Sequence, residues 1–599
     1  MNSPDDLKDR AWMKVREWPQ TPGFDAAVRA VTEAVLNCYT REGGEWRPLP
    51  ASTLSELAAE GDEYVAVFPF PEDRTAVLAG IRHLSPTHRH RFRTPAQIAM
   101  AGGEPWPISL ETLMSMFADE MGETHAGPEM TSRDKRGPDP TLLLSRIRQS
   151  VTAIATALDA RAEQVDELWS AEPLRFIDAE QAGLIGHMAH PTSLSRWGME
   201  PDDLAAYAPE RQARFALRWL AVDPSLVEQD SATGTSAAAL TERLLRDDAA
   251  VDGAALDASL AGLGERVLLP VHPWELAHLR DRAPVAALLE EGLIVDLGEL
   301  GSPVSPTTSM RTVYNADWPW QLTFSLHAHM TDEMRLTPIA ELEGAVAAAR
   351  AFDEQADAAR EVAPQLELLQ DPASLALSRD GTPLAGLSVQ LRENRWGSDS
   401  ETDVSTVGVL VQDHPFGGRS RLAQIVARLA ERSGRPVEDV AREWFARYAE
   451  IAVLPLLRLG ARLDLTIETD QRNTLLELED GWPVRCVLRE THGSPQQAAH
   501  DDIAATGPGF GEGPFLDNAL SVINALGSAG QVEEIVLLAD LKALLRRERE
   551  RSESETATAL LGRLLDDATW PCRANMRTRM HNDVDRFVQI PNPLHGVRD

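Results

Sequence analysis

Residues 443–490, EWFARYAEIAVLPLLRLGARLDLTIETDQRNTLLELEDGWPVRCVLRE, place a helix and a hairpin side by side. The first part, 443–460, reads as a helix, with Gly460 as the expected C-cap. The remainder reads as a hairpin: Asp480-Gly481 is a two-residue turn signal, and Val484, Cys486 and Leu488 alternate as in a strand. The same mixture recurs outward. Phe24, Val28, Val31 and Val35 recur at helical spacing, so 24–41 is an expected amphipathic helix. YVAVFPFP (64–71) and the stretch around RHRFRTP (89–95) read as strands. Residues 107–170 read as helical apart from a polar loop at 123–140. Helices are expected at 203–221 and, alanine-rich, at 341–361, with a serine/alanine stretch at 228–241 between them. Val532, Ile535, Leu538, Leu541 and Leu545 form a helical stripe that reads as core. The fold class is therefore α+β, in three blocks: 1–165, 166–385 and 386–599.

At 599 residues the chain is long enough for several units of roughly 150 residues. Its composition, 43% hydrophobic and 25% charged, is that of a globular protein with a large core and excludes general disorder. Lys and Arg number 58 against 93 Asp and Glu, a net charge of −35. Such a surface repels phosphate backbones, which argues against nucleic acid and anionic membrane as partners. Any anion site must be gathered locally, and from arginine, because lysine occurs only at 8, 14, 135 and 542. Three cysteines far apart (Cys38, Cys486, Cys572) suit a reducing compartment. With no apolar signal core at the N-terminus and no apolar run near ~20 residues, the reading is a cytoplasmic soluble protein.

Four segments concentrate chemistry. GLIGHMAHPTSLSRWG (183–198) offers His187, His190, Thr192, Ser193 and Arg196 on a loop fixed by glycines and Pro191. Its His-x-x-His pattern invites a zinc hydrolase reading, though two histidines alone make a poor zinc site. LLPVHPWE (268–275) is rigid and aromatic, and reads as a strand end packing a tryptophan. In 305–335, Ser309, Arg311 and Thr312 lie together, and Thr331 and Arg335 follow after a β excursion. Two arginines with adjacent hydroxyls suit a polyphosphate, because guanidinium grips phosphate oxygens in bidentate fashion; surface ion pairs are the plainer use. Finally, Glu468, Asp470, Asn473 and Glu490 gather oxygen ligands across the hairpin, with Arg472 and Arg489 beside them. Hard oxygens of this kind suit Mg²⁺ shared with substrate phosphates.

Taken in order, these segments resemble the IucA/IucC-type siderophore synthetases, which make siderophores without a nonribosomal peptide synthetase. The resemblance rests on GHMAHPTSLSRWG (186–198), PVHPWE (270–275), PTTSMRT (306–312), TDEMR (331–335), ETDQRN (468–473) and Arg489-Glu490. The ending RANMRTRM … VQIPNPL (573–594) also resembles the family. The resemblance implies a cupped hand of thumb, fingers and palm around one central cleft. It implies ATP and Mg²⁺, an acyl-adenylate formed from a small polycarboxylate, and its capture by an amine, hydroxylamine or alcohol to give an amide or ester. A homodimer is the usual assembly.

The implied roles follow residue by residue. Arg311 and Arg335 hold phosphates; Ser309, Thr312 and Thr331 donate hydrogen bonds. Glu468, Asn473 and Glu490 place the metal, with Asp470, Arg472 and Arg489 alongside. His187, His190, Thr192 and Arg196 shape the cleft from the fingers side, and Arg573 stands where the family has a lysine near the carboxylate substrate. Four positions depart from the family pattern: Leu194 and Thr323 replace lysines, Asp470 a histidine and Arg472 a glutamine. Two lost phosphate contacts at about 1.5–3 kcal/mol each would weaken nucleotide binding ~10²–10⁴-fold. Either Arg472 and Asp470 compensate and the chain remains a ligase, or it is a noncatalytic relative that binds a carboxylate or a partner. The retention of Arg311, Arg335, Glu468, Asn473 and an acid at 490 favours the ligase.

Overall fold

The expected strand at 64–71 forms as Tyr64–Phe70 and pairs antiparallel with Thr75–His83 inside a six-stranded sheet. The structure, a computed structural model, describes residues 19–54, 58–71, 74–100, 103–123, 140–330, 333–463, 469–489, 512–580 and 586–598. Helices Pro22–Arg41, Leu110–Glu123 and Pro140–Arg161 lay their apolar faces on that sheet, joining Val31, Val35, Phe68, Phe92, Phe117 and Ile154 in a first core. Two residues from the far end of the chain complete it, Met576 and Met580, both 0% exposed. They ride on the helix Asn575–Met580, whose N-terminal Met576 and Arg577 N–H groups donate to the Glu42 carboxylate at 2.8 and 3.0 Å.

The second core lies on an eight-stranded antiparallel sheet. Its order is Val267–Val271, Phe215–Val222, Ile294–Pro306, Thr312–Tyr314, Trp320–Phe324, Thr382–Glu393, Ala373–Arg379, Val227–Ser231. This corrects the helix expected at 203–221: a short helix, Pro201–Tyr207, ends there and FALRWLAV becomes the strand Phe215–Val222. Trp219, Leu220, Ala221 and Val222 are all buried at the centre of the sheet, and a run apolar on successive residues carries no helical or strand period to read. The alanine-rich helix forms as Ile339–Val362, and the serine/alanine stretch divides between the strand Val227–Ser231 and the helix Ala237–Asp247.

In the third core the helix Val437–Tyr448 passes through a π turn, Ala449–Val453, into Leu454–Leu463. Gly460 therefore lies within a helix and caps nothing; Leu454, Leu456, Leu457 and Leu459 are buried just before it, and this packing carries the helix past the glycine. The hairpin forms as Thr474–Glu479 and Trp482–Leu488, with positive φ at Asp480 (51°) and Gly481 (86°), the mirror turn that the Asp-Gly pair favours. A register shift between Glu477 and Leu478 breaks the strand alternation and leaves Val484 38% exposed. On the helix Glu534–Arg551, Leu537 joins Leu538, Leu541 and Leu545 in the core while Ile535 is exposed.

Candidate active site

Strands Ile294–Pro306 and Thr312–Tyr314 pair Ser305 with Tyr314 and Pro306 with Val313, so residues 307–311 are the turn between them. The turn closes on itself. The Thr307 N–H donates to the Thr312 carbonyl (2.8 Å), and the Thr312 N–H to the Ser309 carbonyl (2.9 Å). Its tip presents Ser309 and Arg311, both half-buried. Arg311 Nη1 donates to Thr337 Oγ1 at 3.2 Å, two residues beyond Arg335. Arg335 is strapped to the same sheet end: its N–H donates to the Ala328 carbonyl (3.2 Å) and its carbonyl accepts from Leu326 N–H (2.8 Å). Arg311 thus reaches the strap that carries Arg335.

A buried carboxylate ties this turn to the hairpin. Glu180, the last residue of the helix Phe176–Glu180, accepts from the Thr308 N–H at 2.9 Å and from Arg489 Nη2 at 2.9 Å, both through Oε2. Arg489 Nη2 also donates to the Arg472 carbonyl (2.8 Å), and its backbone N–H to the Asn473 carbonyl (3.1 Å). Arg489 and Glu180 side chains are 3% and 0% exposed. Two bonds from one carboxylate therefore span the turn at 308 and the turn at 472.

The 470 turn is built by Asp470. Its Oδ1 accepts from Arg472 N–H (2.8 Å) and Asn473 N–H (3.0 Å), and Oδ2 from Arg472 Nη2 (2.9 Å). Burial alone would raise this carboxyl, but Arg472 and the two backbone donors hold it below the usual range. Asp470 thus stays ionised with its oxygens committed, which makes it a poor metal ligand. Asn473, half-buried, has its N–H engaged in the same turn and its carbonyl by Arg489 across the hairpin. Glu468, Glu490 and Thr331 lie outside the described residues. Among the described residues no cluster of three His, Cys, Asp or Glu suits a metal.

Charges from the parts of the chain that build the first and third cores meet at His187. Its Nδ1 accepts from the Ala189 N–H (3.3 Å) and its Nε2 stands 3.8 Å from Asp517 Oδ1. Burial, then the nearby Arg89 and Arg472, push the imidazole down to about 3, so it is neutral at pH 7. Burial lifts Asp517 to about 6, against the pull of Arg41, Arg89 and Arg472. Arg41, Arg89, Asp517 and Glu180 were absent from the expected site. The arginine-rich RHRFR run in an acidic chain marks the neighbourhood of Arg89 but does not single it out, and gives no signal for the other three.

Asp517 carries a checkable consequence. A carboxyl raised from 3.8 to about 6 by folding stabilises the protein below pH 3.8 and loses that contribution as pH rises through 6. Asp517→Asn is therefore expected to raise stability at pH 8 by about 1–3 kcal/mol and to change little near pH 4. Denaturant titrations at the two pH values check this; equal effects at both would contradict it.

The remaining expected site residues divide. His190 faces Thr192 Oγ1 (3.3 Å) through Nδ1 and the buried Arg579 through Nε2. Thr192 is fully buried, so it positions His190 and faces no ligand. Arg196 departs from the expected contact role: it is 7% exposed and donates to Glu210 through both Nη atoms, a pairing that commits the fork to protein rather than to a substrate. Thr312 departs likewise, 1% exposed and hydrogen-bonded to Thr323 Oγ1 (3.0 Å). That hydroxyl pair fills the place of the family's strand lysine. Leu194, at the other missing lysine, packs against the first core while its N–H donates to Ser150 Oγ (3.3 Å). Arg489 serves as the buried clamp described above. Arg573, half-buried, ends the strand Thr569–Arg573 next to Cys572, whose Sγ accepts from Arg41 Nη2 (2.8 Å). His272 is sealed in the second core, where its Nδ1 caps the helix at Trp274 N–H (3.2 Å).

A family model described as the IucA / IucC family matches residues 175–412, and one described as a ferric iron reductase FhuF-like transporter matches 442–587. The rhizobactin siderophore biosynthesis protein RhbC of Rhizobium meliloti (strain 1021) is 32% identical over 95% of this chain and 97% of its own length. The spermidine-citrate ligase of Bacillus anthracis is 27% identical over 95% and 98%. The ATP-bound aerobactin synthetase IucA from a hypervirulent pathotype of Klebsiella pneumoniae superposes with a TM-score of 0.82 at 25% identity, covering 94% of this chain and 99% of that one. Fold and cleft are those of a synthetase. The chain belongs to the IucA/IucC family of siderophore synthetases.

Proposed function

We propose that the chain is an ATP-dependent ligase that activates a small polycarboxylate and joins it to an amine, hydroxylamine or alcohol in siderophore biosynthesis. One acid oxygen attacks the α-phosphorus and pyrophosphate leaves. The nucleophile then attacks the acyl carbon, loses a proton, and AMP leaves. The observation that supports this reading is the Glu180–Arg489 bridge, which joins the turn carrying Arg311 to the 470 turn, while Arg311 bonds Thr337 two residues beyond Arg335. This arrangement gathers cations and hydroxyl donors in one cleft of a protein with net charge −35. Fixed positive charge of this kind stabilises the charge that develops on phosphate oxygens. The likeness to an ATP-bound synthetase supports ATP as co-substrate.

Relatives are named for joining citrate to spermidine or to L-2,3-diaminopropanoate, and citrate is the acid we take first. Mg²⁺ belongs to the reading as the ion that neutralises the phosphates, with Glu468, Asn473 and Glu490 as its ligands. Three lobes, 1–165, 166–385 and 386–599, a homodimer and a cytoplasmic location complete it; the three cysteines, all buried free thiols, suit a reducing compartment. No helix among the described residues is long and apolar enough to cross a membrane.

The purified protein given ATP, Mg²⁺, citrate and a panel of amines is expected to release pyrophosphate only when the acid is present. No release with any di- or tricarboxylate, and no ATP-dependent rise in melting temperature, would establish the alternative, a noncatalytic binding protein.

A further inference from the structure

Several buried arginines among the described residues have carboxylate partners. Arg196 holds Glu210, Arg392 holds Asp371, Arg421 holds Asp403 and Arg489 holds Glu180. This is what desolvation demands, because an uncompensated buried charge costs several kcal/mol. Arg89, like Arg161, is bonded to no carboxylate among the described residues. It is 6% exposed, and its Nη2 is shielded from solvent and bonded to nothing among the described residues. Its charged neighbours aggravate this: burial, then Arg91 and Arg41, push its guanidinium down to about 10. Arg91 cannot share its own counter-charges, since Glu33 (3.2 Å) and Asp413 (2.8 Å) already engage it. The Arg89 backbone carbonyl is pinned by Asn524 Nδ2 at 3.0 Å, so the residue is held in place.

The Arg89 guanidinium is close to two groups of the candidate site. Its charge acts on both His187 and Asp517. His187 also lines a cavity of about 510 Å³ between the helix Pro22–Arg41 and residues 413–420, whose walls carry Arg29, Arg82, Arg91 and Arg419 against two acids, Glu33 and Asp413. A net positive cavity in a strongly anionic protein draws small anions. A planar guanidinium fork matches a carboxylate in bidentate fashion. The pair proposed for the phosphates is set apart from Arg89: Arg311 is on the turn at 307–311 and Arg335 on the strap whose Thr337 meets Arg311.

We propose that Arg89 binds a carboxylate of one of the two small molecules that the reaction joins. The assignment rests on the ligase reading above. The carboxylate has two sources: a second carboxylate of the acid, or one carried by the nucleophile.

The test compares wild type with Arg89→Gln and Arg89→Lys, using citrate as acid and two nucleophiles that differ by one carboxylate, L-2,3-diaminopropanoate and 1,2-diaminoethane. If the acid supplies the carboxylate, Arg89→Gln raises the citrate KM in ATP–pyrophosphate exchange by about 10-fold or more and leaves the ATP KM unchanged. If the nucleophile supplies it, exchange is untouched and the preference for L-2,3-diaminopropanoate over 1,2-diaminoethane falls by about the same factor. Arg89→Lys retains part of either effect, and also serves if Arg89→Gln fails to fold. A change confined to the ATP KM, a uniform fall in kcat, or no change in either comparison overturns the assignment. Calorimetric titration of citrate and of L-2,3-diaminopropanoate, without ATP, separates this from failure of the ligase reading. Binding that weakens in Arg89→Gln upholds the site even in a protein that releases no pyrophosphate; binding of neither probe, or binding indifferent to the substitution, removes it.

Discussion

Arg311→Ala is expected to lower kcat/KM for acid-dependent pyrophosphate release by about 10²–10³-fold, the cost of deleting one preorganised group at developing charge. The residue stands at the tip of a turn that its own backbone closes, and its carbonyl accepts from the Phe324 N–H at 2.9 Å. That bond survives the substitution, so the strand pairing beneath should persist. Arg311→Lys keeps the charge but loses the two-pronged geometry, and should fall between Ala and wild type. Pyrophosphate release, read beside circular dichroism and melting temperature, decides the matter. Full activity in Arg311→Ala with the fold intact would take Arg311 out of the phosphate site.

The second large effect concerns stability. Arg489→Met leaves the Glu180 carboxylate buried without its cation, and is expected to cost about 3–5 kcal/mol. Glu180 Oε1 already lacks a hydrogen-bond partner among the described residues, so little remains nearby to absorb the charge. Pairing the change with Glu180→Gln removes the orphaned charge and should recover most of the loss. Because Glu180 also holds the Thr308 N–H, the single variant should loosen the turn that carries Arg311 and raise the ATP KM. Denaturation midpoints of the two single variants and the double variant test the coupling; additive losses would show that the pair acts independently.

Local signals were legible in the sequence wherever one residue pattern decided one element. Helical spacing located Pro22–Arg41, and Asp480-Gly481 located the hairpin. The strand Phe215–Val222 was not legible, because a strand buried among others shows no alternation, and Gly460 misled because tertiary packing overrides a local stop signal. Arg311 and Arg335 stood out in the sequence by their hydroxyl-rich surroundings, and the fold sets Arg311 against the strap that carries Arg335. Arg89, Asp517 and Glu180 did not: each gains its meaning from partners some hundreds of positions away. Thr312 and Arg196 show the converse, residue types suited to a ligand that the fold turns inward to bind protein.

The contribution of Met576 and Met580 to the first core sets an order for synthesis. The segment that closes the core leaves the ribosome roughly 390 residues after Ile185, a wait of about 20–80 s at usual elongation rates. Until then the helices around Val35 and Phe117 present an unfilled apolar seam, and Glu42 has no backbone amides to receive. The N-terminal lobe must therefore be shielded by chaperones or by its own partial collapse, and a chain cut short before residue 575 releases it unfinished. The first-made lobe is thus closed by a much later-made segment.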